Sequence, residues 1–194
     1  MCAHSRQETP LQIVQPAVDE DRLLCARIHA GEADAFAVLY GRHKQAVYLY
    51  CMRLLGRSAS AEDIFQDVFM KCYEQLRDGV QIQNLRAWLM TSARNRCFNQ
   101  LRDRKFPADI DELGDELPGE AVLDIAERMD LEEALTHLTP DTRDALLLCE
   151  YQGFTYEEIA DITGAPLTAI RKRIFRARQK LRTLLAPPTR GTQP

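Results

Sequence analysis

The sequence has no run approaching the roughly 18 consecutive apolar residues that a membrane-spanning helix needs. Its residues 1–18 (MCAHSRQETPLQIVQPAV) also lack the basic start and apolar core of a secretory signal. These absences lead to the expectation of a cytoplasmic protein with no membrane span. No CxxC pair occurs; the six cysteines, at 2, 25, 51, 72, 97 and 149, are scattered. Cys25, Cys72 and Cys149 fall among apolar residues in helical register, as reduced, buried thiols do. There is no Gly-rich phosphate loop and no G-x-S-x-G, and His4, His29, His43 and His137 are dispersed. The expectation is therefore of no enzyme, with no catalytic residues, no metal and no cofactor. No stretch alternates like a strand and no segment repeats, which leaves an all-α fold class.

What is present is a chain of 194 residues, 45% hydrophobic and 28% charged, whose net charge of -4 is unevenly distributed. Residues 1–106 carry 15 Lys and Arg against 12 Asp and Glu, residues 107–161 carry 2 against 17, and residues 162–194 carry 8 against none. A basic end and an acidic middle imply separate surfaces for separate partners. Breakers divide the helical pattern into two domains. Residues 20–106 hold four helices separated by Gly31, Gly56 and Gly79. Residues 107–130 turn acidic, with Gly114, Pro118 and Gly119, and read as a flexible linker. Residues 131–186 form a second helical unit, and the chain ends are expected to be mobile.

Three helix faces stand out. In the third helix, Ser60 and Asp63 form an S-x-x-D capping pattern, and Ile64, Phe65, Val68, Phe69, Cys72, Tyr73 and Leu76 recur as a buried stripe. Asp63, Gln66, Asp67, Met70 and Glu74 then share the opposite face. That row can accept from Arg or Lys of a partner while Met70 offers adaptable apolar contact, although a merely solvated face would have the same composition. In the fourth helix, capped by Asn84, Leu85, Trp88, Leu89, Ala93, Cys97 and Leu101 form the expected buried side. Arg86, Arg94, Asn95, Arg96, Asn99, Gln100, Arg102, Arg104 and Lys105 occupy the rest. Guanidinium groups pair with phosphates and amides read base edges, so this mixture suits nucleic acid, again with a solvated face as the alternative. The preceding loop, Arg77 to Gln83, is short enough to receive an extruded base.

The third face belongs to a helix-turn-helix. Thr139 and Pro140 open one helix, which Gly153 can end, and Thr155 with Glu158 makes a capping box for a second. Gly164 supplies the turn, and a third helix follows Pro166 with apolar residues at 167, 170, 174, 177, 181 and 184. Thr168, Arg171, Lys172, Arg173, Phe175, Arg176, Arg178, Lys180 and Arg182 are left for the outer surface. A major groove about 12 Å wide accepts one such helix.

Four blocks in this order carry a resemblance: FAVLY (Phe36 to Tyr40) with His43, AEDIFQDVF (Ala61 to Phe69), RAWLMTSARN (Arg86 to Asn95), and GFTYEEIADITGAPLTAIRKRIFRARQKL (Gly153 to Leu181). The chain resembles an extracytoplasmic-function sigma factor of the sigma-70 family. The resemblance implies a sigma region 2 domain and a region 4 helix-turn-helix domain that together bind core RNA polymerase and direct it to promoter DNA. It assigns Asp63, Gln66, Asp67 and Met70 to the polymerase interface. Asn84, Trp88, Arg94, Asn95 and Asn99 are assigned to the minus-ten element, with Thr168, Arg171, Lys172, Arg173, Phe175 and Arg176 on the minus-thirty-five element. An anti-sigma factor is a further implied partner. Where members often show V-G-T-V-K-S-R, this chain has Leu167 to Arg173 (LTAIRKR), which puts Lys172 where a small hydroxyl is usual, and Asn99 stands where Asp is frequent. The alternative is a conventional helix-turn-helix transcriptional regulator acting without polymerase. That reading needs an effector or dimerisation domain, and residues 20–105 show no ligand-pocket signature or long heptad seam.

Overall fold

The apolar spacing along the chain places the helices. The computed structural model describes residues 17–56, 59–103 and 130–186. The first unit comprises α1 (Ala17–His29), α2 (Ala33–Leu55), α3 (Ala59–Arg77) and α4 (Leu85–Asp103). The second comprises α5 (Leu131–Thr136), α6 (Pro140–Leu146) with a π-helical turn (Leu147–Tyr151), α7 (Tyr156–Thr163) and α8 (Leu167–Leu184). No strand occurs among the described residues, and the all-α expectation holds. Residues 107–129 of the acidic linker, Arg104, Lys105 and Cys2 lie outside the described residues.

Local chemistry accounts for the helix ends. Asp130 caps α5 by accepting from the Glu133 amide at 2.8 Å, and Thr139 caps α6 with Pro140 in the first turn. Thr155 and Glu158 form the reciprocal capping box of α7. Helix α3 is described from Ala59, which places Ser60 within its first turn and not ahead of it as the capping pattern expects. Helix α6 also differs, because it widens into the π turn before Gly153, at φ 65°, ends it. The wider turn aims the Gln152 amide at the Ala46 carbonyl, 3.2 Å away.

In the first unit α2 is the central element. Leu39, Val47, Tyr50, Cys51 and Leu54 of α2 pack against Val68, Phe69, Cys72 and Leu76 of α3 and Leu89, Met90, Ala93 and Cys97 of α4. The FAVLY block does structural work. Phe36 meets Tyr73 edge-on with ring centroids 4.9 Å apart, and Tyr40 meets Phe69 at the same separation, in arrangements worth about 0.5–1.5 kcal/mol each beyond burial. Asp21 of α1 accepts from His43 (2.8 Å) and Arg42 (3.3 Å), which pins α1 to α2 and gives His43 a structural role. The second unit is built on Leu135, Leu147, Leu148, Ile159, Ile170 and Ile174. One apolar cluster runs through both units, with α2 against α6 and the π turn and α4 against α7.

The cysteines follow the packing. Cys51, Cys72 and Cys97 are buried and Cys25 and Cys149 half-buried, all of them free thiols. Burial pushes the Cys72 thiol up to about 12, and a hydrogen bond with Cys51 together with burial pushes Cys97 up as well. Because the thiolate is the nucleophile, iodoacetamide at mildly alkaline pH is expected to leave Cys72 and Cys97 unmodified in the folded chain. Both should become labelled in guanidinium. Peptide mass spectrometry reads the result, and labelling of native Cys72 at the rate of an ordinary thiol would contradict it.

Candidate nucleic-acid and docking interfaces

The stripe of Ile64, Val68, Phe69, Cys72 and Leu76 fixes the rotation of α3, so Asp63, Gln66, Asp67, Met70 and Glu74 all face water. Met70 is 63% exposed, a large apolar side chain in an acidic and amide surround. Asp67 accepts from Arg96 of α4 at 3.0 Å, an exposed pair that ties this row to the neighbouring helix.

Helix α4 is less uniform than its sequence suggests. Asn84 accepts from the Ala87 amide at 3.0 Å, so its carbonyl oxygen is engaged as the helix cap. Trp88 is half-buried against the core, and Met90, unassigned in the sequence reading, is fully buried. Asn95 and Asn99 are exposed, and Asn99 accepts from Arg102. Arg94 turns inward, with its side chain 13% exposed. Its Nε donates to Asp144 Oδ2 at 2.6 Å, Nη2 lies 3.8 Å from Asp141, and the guanidinium lies 4.3 Å from the Phe98 ring centre. Arg86 lies 4.1 Å over the ring of Phe154 in the second unit, and burial lowers its pKa. The loop before α4 turns at Gly79 (φ 84°), where a Cβ would stand 2.8 Å from the His29 ring, and it presents Val80 to solvent.

In the helix-turn-helix, Gly164 adopts the left-handed conformation (φ 71°) and turns the chain between α7 and α8. The buried side of α8 matches its 3-4 spacing, with Ile170, Ile174 and Ala177 innermost. Thr168, Arg171, Lys172, Phe175 and Arg176 are exposed together, and Phe175 has 61% of its surface open. Arg173 behaves differently. Its side chain is 20% exposed and bends back onto α6, where Nη1 meets Asp141 at 3.2 Å. Arg178 donates to Glu150 at 2.9 Å.

These surfaces sit on a chain whose residues 39–106 match the model for Sigma-70 region 2, and whose residues 124–181 match that for Sigma-70, region 4. The ECF RNA polymerase sigma factor SigE of Mycolicibacterium smegmatis is 31% identical over 195 residues, covering 95% of this chain and 75% of the relative. The chain belongs to the extracytoplasmic-function sigma factors. Among solved structures, the sigma factor RpoE in complex with the anti-sigma factor NepR from Bartonella quintana aligns with a TM-score of 0.60 and 29% identity, covering 77% of this chain and 96% of that one. CnrH in complex with the cytosolic domain of CnrY aligns at 0.62 and 27%, covering 86% and 97%. Similarity across both helical units disfavours the conventional regulator. No described helix of this sigma factor is long and apolar enough to cross a membrane.

The sigma factor also contains a polar cluster that its sequence did not announce. Asp144 of α6 is 0% exposed and accepts from the Tyr50 hydroxyl of α2 at 2.7 Å as well as from Arg94. Burial pushes the Asp144 carboxyl up, while Arg94 and the Tyr50 hydrogen bond pull it back. One position earlier, Arg143 Nη1 donates to the Leu54 carbonyl at 2.9 Å. The only local hint is that Arg143 and Asp144 fall within the turn that leads into Ala145, Leu146 and Leu147; their partners, 89 and 94 residues away, are invisible to any local pattern.

Proposed function

We propose that this sigma factor binds core RNA polymerase through Asp63, Gln66, Asp67 and Met70 of α3 and directs it to a limited promoter set. In this reading α4, through Asn84, Trp88, Arg94, Asn95 and Asn99, captures the opened minus-ten element together with the Arg77 to Gln83 loop. Helix α8 reads the minus-thirty-five element through Thr168, Arg171, Lys172, Arg173, Phe175 and Arg176. The working division is 20–106, 107–130 and 131–186. The protein acts in the cytoplasm by binding and not by covalent catalysis: selective affinity for opened DNA offsets the few kcal/mol of unstacking per step. The observation that carries this reading is the exposed basic face of α8 on a Gly164 turn, paired with the exposed acidic row of α3 in a chain of this family. An anti-sigma protein is a further proposed partner, supported by the RpoE relative, solved with NepR.

Transcription in vitro with core polymerase on a genomic library, mapping the start sites, tests the proposal: enriched start sites preceded by two spaced elements are expected, and none above core alone refutes it. On the promoters so found, Arg171→Ala or Arg176→Ala is expected to cost about 1–3 kcal/mol, unequally among promoters, if the side chain reads a base. Equal loss everywhere would reassign that contact to phosphate.

A further inference from the structure

Helix α3 ends in a glycine cap that leaves one carbonyl over. Gly79, at φ 84°, donates to the Leu76 carbonyl at 3.2 Å, Val80 donates to that of Gln75 at 2.9 Å, and Asp78 donates to that of Glu74 at 2.9 Å. The carbonyl of Arg77, the last residue of α3, is met from another helix: Nδ1 of His29, in the last turn of α1, lies 3.2 Å away. A carbonyl can only accept, so Nδ1 carries the proton. The same imidazole lies against Gly79, where a Cβ would stand 2.8 Å from Cε1, 3.3 Å from Nδ1 and 3.4 Å from Nε2. Gly79 is thus required twice, by its left-handed backbone and by the ring that occupies the place of a side chain.

Beyond this cap the chain is held at two more points. Ile82 packs against the core, and Asn84 accepts from the Ala87 amide at 3.0 Å. Between these anchors Val80, Gln81 and Gln83 are exposed. The two amides can donate to and accept from the edge of a base, and Val80 offers it apolar contact. We propose that His29 is a positioning residue for base capture: by donating to Arg77 and covering Gly79 it fixes the direction in which α3 passes into the Arg77 to Gln83 loop, so that an extruded minus-ten base meets a loop already in its receiving shape. This inference rests on the reading of that loop and α4 as the minus-ten interface. It gives a part in DNA opening to α1, which holds none of the residues assigned to polymerase or DNA. The physical gain is preorganisation, because a loop that must be ordered at the moment of binding subtracts the cost of ordering from its affinity.

The test uses holoenzyme assembled from core polymerase and the full chain, on a promoter found by the transcription experiment above. Fluorescence anisotropy gives the affinity for labelled single strands of its minus-ten element, for the same strands scrambled, and for a duplex carrying only the minus-thirty-five element. His29→Ala is expected to weaken binding of the minus-ten strand by about 2–10-fold, the scale of one neutral hydrogen bond, and to leave the duplex affinity and the association with core unchanged. His29→Asn carries an amide N–H near the position of Nδ1 and should recover most of the loss. His29→Phe keeps a ring against Gly79 without the donor and should not. Gly79→Ala should lose more than His29→Ala, and its added loss should shrink when the two are combined, because the ring that the new Cβ would meet is gone. Arg27→Ala, in the same turn of α1, breaks an exposed pair with Glu32 and should leave every readout unchanged. Parental affinity for the minus-ten strand in both His29→Ala and His29→Phe overturns the proposal, as does an equal loss on all readouts, which marks a purely structural role, or a His29→Asn no better than His29→Ala. A parent holoenzyme that holds the minus-ten strand no tighter than its scrambled form refutes instead the reading of the loop and α4, and the proposal falls with it.

Discussion

Asp67→Arg is expected to abolish retention of the chain by core RNA polymerase while leaving its helicity and unfolding midpoint close to those of the parent. The two halves of that expectation come from different magnitudes. Within the chain, Asp67 makes an exposed pair with Arg96 at 3.0 Å. Exposed pairs are worth about 0–1 kcal/mol, so losing this one costs little even with a second guanidinium placed beside it. At a docked interface the same carboxylate would be desolvated against a cationic partner, where losing one partner of a hydrogen-bonded charge pair costs about 2–5 kcal/mol and a reversed charge adds repulsion. Co-purification with polymerase from the cell, read against the parent, is the measurement, and normal yield for the variant would refute the docking assignment. Asp67→Asn should retain part of the binding, because the amide still accepts a hydrogen bond. Arg96→Ala frees Asp67 without altering its charge and should bind at least as well as the parent, so a loss there would mean that the pair, and not the carboxylate, forms the surface.

Rows such as the one on α3 were legible in the sequence because everything that determines them is local. The apolar stripe of α3 and the 3-4 spacing of α8 fix helix rotation, and the residues opposite a buried stripe face water. Thr155 with Glu158, and Thr139 with Pro140, were readable for the same reason: a cap joins residues within one turn. Arg94 and Arg173 were read as outward-facing, and the structure turns both inward because Asp141 and Asp144 approach them from another helix. For Arg94 that helix lies 50 residues along the chain. Met90 was not assigned to either side, and it is buried because α4 packs against α2, α3 and α7, which widens its buried arc beyond a single stripe; Trp88, read as part of that stripe, lies at its edge and is half-buried. The charge census pointed the wrong way for Arg143 and Asp144: both belong to the strongly acidic middle of the chain, yet both are buried. Composition records how many charges a segment carries and nothing about which of them fold inward.

The largest stability effect is expected at Arg143. Its guanidinium donates to the carbonyls of Leu135 (2.7 Å), Thr136 (2.9 Å), Leu138 (3.0 Å) and Leu54 (2.9 Å). The first two belong to the last turn of α5, the third lies just beyond it, and Leu54 sits in the last turn of α2, so the guanidinium gathers carbonyls where helices run out of backbone donors. A fixed positive charge thus meets the negative ends of two helices, where no water could replace it once the core has closed. Burial lowers the Arg143 pKa from its ordinary value, but arginine stays protonated in proteins, so the charge is present throughout. Arg143→Ala removes a donor from each of four carbonyls, of which Leu135 keeps a backbone donor from Leu138, and is expected to destabilise the chain by about 3–5 kcal/mol in urea unfolding, the scale of breaking a buried charged network. Arg143→Lys should recover only part of this, since a compact ammonium on a flexible stem cannot reach carbonyls spread across two helix ends. Arg143→Met keeps most of the volume and removes every donor, so it separates packing from hydrogen bonding. A methionine variant as stable as the parent would show that side-chain bulk, and not the four bonds, holds α5 and α2 together at this point.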